Sequence, residues 1–126
     1  MKIKEITNFL EEIAPLHYQE TYDNSGLIIG NKENRVTGAL ITLDCTEDVV
    51  DEAISKNCNL IIAHHPIIFG SLDKINGNTY VERVVIKAIK NNISIYAIHT
   101  NLDNVIHGVN GKIAEKLGLV NCKILK

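Results

Sequence analysis

Two short apolar runs, Asn59-Leu60-Ile61-Ile62-Ala63 and Ile93-Ser94-Ile95-Tyr96-Ala97-Ile98, each break directly into histidine. The first runs into His64-His65-Pro66 and the second into His99-Thr100-Asn101-Leu102-Asp103-Asn104. Both runs read as buried strands, and each follows a stretch of helical period. Val49, Val50, Ala53 and Ile54 form the inner face of a helix before the first run. Val81, Val84, Val85, Ala88 and Ile89 do the same, in a helix from about Thr79 to Asn91, before the second. Strands alternating with helices of this length predict right-handed βαβ units and a parallel sheet. If the two strands are parallel neighbours, their polar exits meet at one edge of the sheet, where open α/β folds place their sites.

The remaining periodicities fit that scheme. Ile3, Ile6, Phe9, Leu10 and Ile13 recur at three- and four-residue steps and predict one face of a helix that Pro15 ends. The polar stretch from His17 to Ser25 leads into Gly26-Leu27-Ile28-Ile29-Gly30, a short strand bracketed by glycines. Val36 to Leu43 predicts another strand, with Thr46 as the N-cap of the helix that follows. Gly108 to Leu117 predicts a last helix, closed by Gly118. At 126 residues the chain has the length of one domain that buries its own core. The expected organisation is therefore a single α/β domain over 1–126, with a mainly parallel sheet flanked by helices.

Charge and leader signals narrow the function classes. A net charge of −2, with scattered lysines, gives no basic stripe for a nucleic-acid backbone, so no nucleic-acid partner is expected. The start Met1-Lys2-Ile3-Lys4-Glu5 passes straight into an amphipathic pattern with no signal core. No run of about 18 apolar residues follows anywhere, so no membrane partner and a cytoplasmic location are expected. Cys45, Cys58 and Cys122 are odd in number and widely spaced, which predicts reduced, mostly buried thiols rather than a zinc ribbon or redox pair.

His64 and His65 carry the chemistry. Neutral imidazole is the commonest protein ligand for transition metals, and the competing reading is capping or hydrogen-bonded core histidines. Adjacent strand residues point to opposite faces, so both rings reach one ion only at a turn; otherwise they serve two ions. Pro66 favours the turn, and the pair suits a dinuclear centre better than a mononuclear one. Of His99 and Asp103 in the second exit, Asp103 is the better ligand candidate, with Thr100 and Asn104 to orient it; a turn cap is the alternative. His99 reaches the same crevice and suits a general acid or base, or an orienting residue. Asp44 ends a third strand at the same edge, as an acceptor for a ligating imidazole or as a helix-start residue. Asp23 and Asn24, in Tyr22-Asp23-Asn24-Ser25-Gly26-Leu27, read by default as a turn that could bring one ligand in. His17 and His107 lack any such context and are expected to be exposed.

Taken together, Tyr22-Asp23-Asn24-Ser25-Gly26-Leu27, Thr42-Leu43-Asp44-Cys45-Thr46, Leu60 to Phe69 with its HHP-x-x-F pattern, and His99-Thr100-Asn101-Leu102-Asp103 closely resemble the NIF-three-like family, also known as GTP cyclohydrolase 1 type 2 homologs. The resemblance runs in order over essentially the whole chain. It implies a dinuclear centre of divalent cations (zinc, iron, manganese, cobalt or nickel) ligated by His64, His65 and Asp103. It further implies a metal-dependent hydrolase acting on a nucleotide or other phosphate-containing substrate, in which His99, as an imidazole, would be the catalytic acid or base. A non-catalytic metal-binding regulator or scaffold is the alternative. Family members are roughly twice this length, with a second α/β half that adds a His and a Glu in an H-x-x-x-E arrangement. No such segment follows Lys126, so this chain is expected to be the N-terminal half alone, its site incomplete or completed by another chain. The resemblance implies ring-shaped hexamers built from dimers, and for a half-length chain a homo-dimer is expected.

Overall fold

The computed structural model describes residues 1–123. Helix α1 (Ile3–Ile13) and a 3-10 turn (Leu16–Tyr18) precede strand β1 (Gly26–Ile29), followed by β2 (Ala39–Thr42), α2 (Glu47–Ser55), β3 (Leu60–Ala63), α3 (Tyr80–Lys90), β4 (Ser94–Ala97), the one-turn helix α4 (Thr100–Asp103) and α5 (Val109–Leu117). The four strands form one sheet in the order β1-β4-β3-β2. β2 pairs parallel with β3 in the register Ala39 to Leu60, and β3 pairs parallel with β4 in the register Leu60 to Ser94. The expected βαβ units β2-α2-β3 and β3-α3-β4 are therefore present, and the exits of β2, β3 and β4 lie side by side. β1 departs from a purely parallel sheet, because it runs antiparallel along β4.

The helix starts follow from local chemistry. Thr46 Oγ1 accepts a hydrogen bond from the Val49 amide, satisfying one of the free donors of the first turn of α2. Thr79 caps α3 in the same way through the Glu82 amide, and the Glu82 carboxylate reaches back to the Asn76 and Asn78 amides and the Thr79 hydroxyl. α5 ends where Gly118 turns left-handed at φ 68°.

Two clusters sandwich the sheet. On one face Val50 and Ala53 of α2 and Val84, Val85 and Ala88 of α3 pack on Ile61, Ala63 and Ile95. On the other, Ile3 and Ala14, with Ile6 and Leu10, pack on Leu60, Tyr96 and Ile98. The inward faces are narrower than the apolar spacing predicts: Phe9, Ile13, Ile54 and Ile89 are exposed. α1 turns Ile3, Thr7 and Ala14 fully inward, with Ile6 and Leu10 half-buried, a stripe that leaves Phe9 and Ile13 on its flank. The three cysteines are free as expected. Only Cys45 is buried, however; Cys58 is half-buried and Cys122 exposed. Burial lifts the Cys45 thiol to about 11. Among the described residues no helix is long and apolar enough to cross a membrane.

Candidate metal centre

Three histidines converge at the sheet edge where β2, β3 and β4 end. The amides of His64 and His65 still donate to the carbonyls of Thr42 and Leu43, at 3.1 and 3.0 Å, so the backbone beside β2 continues the ladder for two residues. The chain then bends at His64-His65, which is the turn that the paired imidazoles require if they are to meet. Their ring centroids are 5.0 Å apart. His99, leaving β4, completes a near-equilateral triangle, 5.2 Å from His64 and 5.4 Å from His65. One ring nitrogen from each histidine lies within 4.8 Å of the others.

The tautomer of each ring is set by its other nitrogen. His64 Nδ1 lies 2.9 Å from the Ile98 carbonyl oxygen, which only accepts, so Nδ1 carries the proton. His65 Nδ1 donates in the same way to Asp44 Oδ1 at 2.7 Å, and His99 Nδ1 to Asp23 Oδ1 at 2.9 Å. In the neutral rings all three Nε2 atoms are left with lone pairs, the arrangement by which metal-binding histidines are usually oriented. Asp103 Oδ1 stands 3.9 Å from His64 Nε2, too far for a hydrogen bond.

These spacings fit a cation. Two donors on one ion, each at about 2.1 Å, lie at most about 4.2 Å apart. The His64–Asp103 pair falls inside that limit, and donors up to 4.8 Å apart close on one ion by a small side-chain rotation or hold two. The carboxylates of Asp23, Asp44 and Asp103 supply negative charge around the cluster.

Asp23 is the most heavily engaged group. Its side chain is fully enclosed. Oδ1 accepts from the Asn24 amide at 2.6 Å and from His99, while Oδ2 accepts from the Thr100 amide at 3.0 Å, Ser25 Oγ at 3.0 Å and the Thr100 hydroxyl. Burial alone would raise its carboxyl; the donors from Thr100, His99 and the Asn24 and Thr100 amides outweigh burial and hold it well below the usual carboxylate range. Asn101, fully buried, sets the backbone of this exit: its Oδ1 accepts from the His99 amide and its Nδ2 donates to the Ala14 carbonyl.

The sequence-predicted residues meet unequally. His64, His65 and His99 form the cluster, so His99 stands closer to the centre than the preference for Asp103 predicts, and Asp103 lies at the rim; His17 and His107 are exposed, as expected. Asp44 takes its accepting role toward His65. Thr100 and Asn104 do not orient Asp103: Thr100 serves Asp23 and the Glu20 amide, and Asn104 donates to the Tyr18 carbonyl and Glu20. Asp23, expected as a turn residue, is instead the clamp of His99. Its signal in the sequence was only an acidic residue in a polar loop, whereas its partners lie 76 and 77 positions away.

The whole chain, residues 1–126, matches the family model described as Duf34/NIF3 (NGG1p interacting factor 3). A GTP cyclohydrolase 1 type 2 homolog of Clostridium acetobutylicum is 46% identical over 99% of this chain, which covers 47% of that protein. A Staphylococcus epidermidis protein of the same description is also 46% identical, with 34% of its length covered. The crystal structure of the Bacillus cereus protein related to NIF3 superposes with a TM-score of 0.93 at 44% identity, over 100% of this chain and 35% of that one. Reduced HcgD from Methanocaldococcus jannaschii superposes at 0.90 with 31% identity, over 98% of this chain and 49% of that one. The chain thus spans less than half the length of these relatives, and it belongs to the DUF34/NIF3 family.

Proposed function

We propose that this chain binds divalent cations through His64, His65 and Asp103 and contributes to a metal-dependent hydrolase site for a nucleotide or other phosphate-containing substrate. The observation that carries the reading is the shared tautomer of His64 and His65, each with Nδ1 tied to an acceptor and Nε2 left with a lone pair, with Asp103 Oδ1 3.9 Å from His64 Nε2. A divalent cation held there would supply Lewis-acid polarisation and lower the pKa of water. Zinc, iron, manganese, cobalt and nickel all suit an imidazole and carboxylate set.

The chain's own residues would do the rest. Asp44 and the Ile98 carbonyl fix the planes of His65 and His64. Asp23 holds the Nδ1 proton of His99, so that Nε2 accepts a proton from the reacting group and the adjacent carboxylate steadies the imidazolium that results. Buried Asn101 fixes the backbone from which His99 projects. Because the chain spans less than half the length of its relatives, completion of the ligand set by a second chain, within a homo-oligomer, belongs to the same proposal.

The test is elemental analysis of the purified chain beside His64→Ala and Asp103→Ala, with circular dichroism as the folding control and GTP hydrolysis as the activity readout. Stoichiometric metal lost in both folded variants, together with turnover that disappears with it, is the expected result. A folded chain that takes up no divalent cation overturns the reading. Metal binding without turnover reduces the chain to a metal-binding scaffold.

A further inference from the structure

We propose that the corner between Tyr22 and Phe69 is a stacking platform for a planar heteroaromatic ring of a small-molecule ligand, which seats that ring beside His99. The proposal deepens the reading of the histidine cluster as the reaction centre by naming the part of the substrate that is recognised and the residues that recognise it. The chain has four tyrosines, two phenylalanines and no tryptophan, so large rings are scarce. Two of the six stand together beside the cluster and are largely exposed, Phe69 against His99 and Tyr22 against Phe69: Tyr22 is 63% exposed and Phe69 56%. Single exposed aromatics are ordinary and carry nothing by themselves. Here the two rings are held in place together.

Asn24 Nδ2 donates to the Ile68 carbonyl at 2.9 Å and ties the loop that carries Tyr22 to the loop that carries Phe69. Asp23, next to Tyr22, is anchored by the hydrogen bonds that clamp His99. The Tyr22 and Phe69 centroids lie 6.1 Å apart with planes tilted by 51°, and Phe69 meets His99 nearly edge-on, also at 6.1 Å. A ring inserted between two parallel faces needs about 7 Å, twice a carbon contact distance, so this corner does not intercalate a ligand. It offers one face for offset stacking and the neighbouring ring for an edge contact, the two favoured aromatic geometries. Phe69 also lines an open cleft of about 690 Å³, walled by Phe69, Leu72 and Tyr80 and carrying Asp73, Lys74 and Glu82 as charged groups. That volume falls in the range of small-molecule sites.

The cleft favours a ring over a phosphate as the recognised group. The amide donors of Asn76 and Asn78, ahead of α3, are taken by Glu82, which itself lines the cleft. A carboxylate therefore already occupies the place where an anionic group would bind. Stacking on exposed aromatic faces remains, and it tolerates any planar heterocycle.

The test is an NMR titration of the purified chain with inosine, a neutral purine nucleoside, in the wild type, Tyr22→Leu, Phe69→Leu and Phe69→Tyr, with the metal content of each sample measured in parallel. Expected are shifts centred on Tyr22, Phe69 and His99, affinity at least fivefold weaker in each leucine variant, retention in Phe69→Tyr, and no competition from ribose 5-phosphate or tetramethylammonium. Equal affinity in Phe69→Leu, competition by ribose 5-phosphate or tetramethylammonium, or no binding of inosine overturns the platform whatever the metal content. Ring-dependent binding to a chain that holds no metal keeps the platform and removes the hydrolase reading, so the two failures are distinct.

Discussion

Replacing Asp23 by Asn keeps the shape of the side chain and removes its charge, which isolates the clamp on His99. The carboxylate is an acceptor at both oxygens: Oδ1 faces the Asn24 amide and His99 Nδ1, and Oδ2 faces the Thr100 amide, the Thr100 hydroxyl and Ser25 Oγ. A carboxamide accepts on one side only. With its NH₂ at the Oδ2 position it confronts the Thr100 amide, whose hydrogen cannot turn away. At the Oδ1 position it confronts the Asn24 amide and forces His99 into the other tautomer, with Nε2 protonated and its lone pair toward the cluster gone. Each arrangement leaves one fixed donor without an acceptor; that donor belongs to buried Thr100 in the first and to exposed Asn24 in the second, where the imidazole adapts by changing tautomer, so the second is favoured. Each charge-assisted hydrogen bond is worth about 1.5–3 kcal/mol and an unsatisfied buried donor costs about 1–3 kcal/mol, so a loss of about 3 kcal/mol is expected. Because the side chain is fully enclosed, water does not offset that loss. With a urea slope of about 1–3 kcal/mol per molar, the unfolding midpoint falls by about 1–3 M. Nitrogen-15 NMR of the imidazoles should show the tautomer change at His99 alone. An unchanged midpoint together with an unchanged His99 tautomer would refute the clamp.

Acid should act through the same residue. The Asp23 carboxyl lies below its ordinary range in the fold, so its contribution is fully present above the unfolded value of about 3.9 and drains away as pH falls further; the wild-type urea midpoint should drop more between pH 5 and pH 3 than that of Asp23→Asn. Cys45, buried and raised to about 11, should resist iodoacetamide at pH 8 in the native chain while exposed Cys122 reacts, as read by peptide mass spectrometry; equal labelling would contradict the burial of Cys45. Gly30→Ala should cost about 2 kcal/mol or more in urea unfolding, since φ is 112° and the added Cβ would lie 2.0 Å from Ser94 Oγ and 2.9 Å from Ser94 Cα; a variant as stable as the parent would mean that β1 shifts freely.

What the sequence carries of the fold is its periodicity. The runs 60–63 and 93–98, the helix between them and the cap at Thr46 are local patterns, and each forms where the pattern places it. The antiparallel course of β1 is not local. Gly26 to Ile29 reads as a strand in either direction, and only pairing with β4, some 70 positions on, decides which. The side of α1 that faces inward is likewise settled by what it covers. Ile3, Ile6 and Leu10 pack with Tyr96 and Ile98, whereas Phe9 and Ile13, equally apolar, lie outside that cluster and are exposed.

The candidate site divides along the same line. His64 and His65 are legible because two imidazoles at a strand exit are rare and the following proline marks the bend. His99 is legible as a neighbour but not as the third corner of the triangle, since that depends on β4 lying parallel beside β3 in the register that sets Ala97 against Ala63. The acceptors behind the rings are unevenly legible: Asp44, at the β2 exit, reads from the sequence as an acceptor for an imidazole, whereas the Ile98 carbonyl at the β4 exit and Asp23 in the loop before β1 do not. Three separate segments thus fix three tautomers, and none of them is near its histidine in sequence. The chemistry of the cluster rests on this outer set more than on the histidines themselves. Imidazoles free to exchange tautomers would present a lone pair or a proton to the centre at random, whereas here each Nε2 is committed before any cation or substrate arrives.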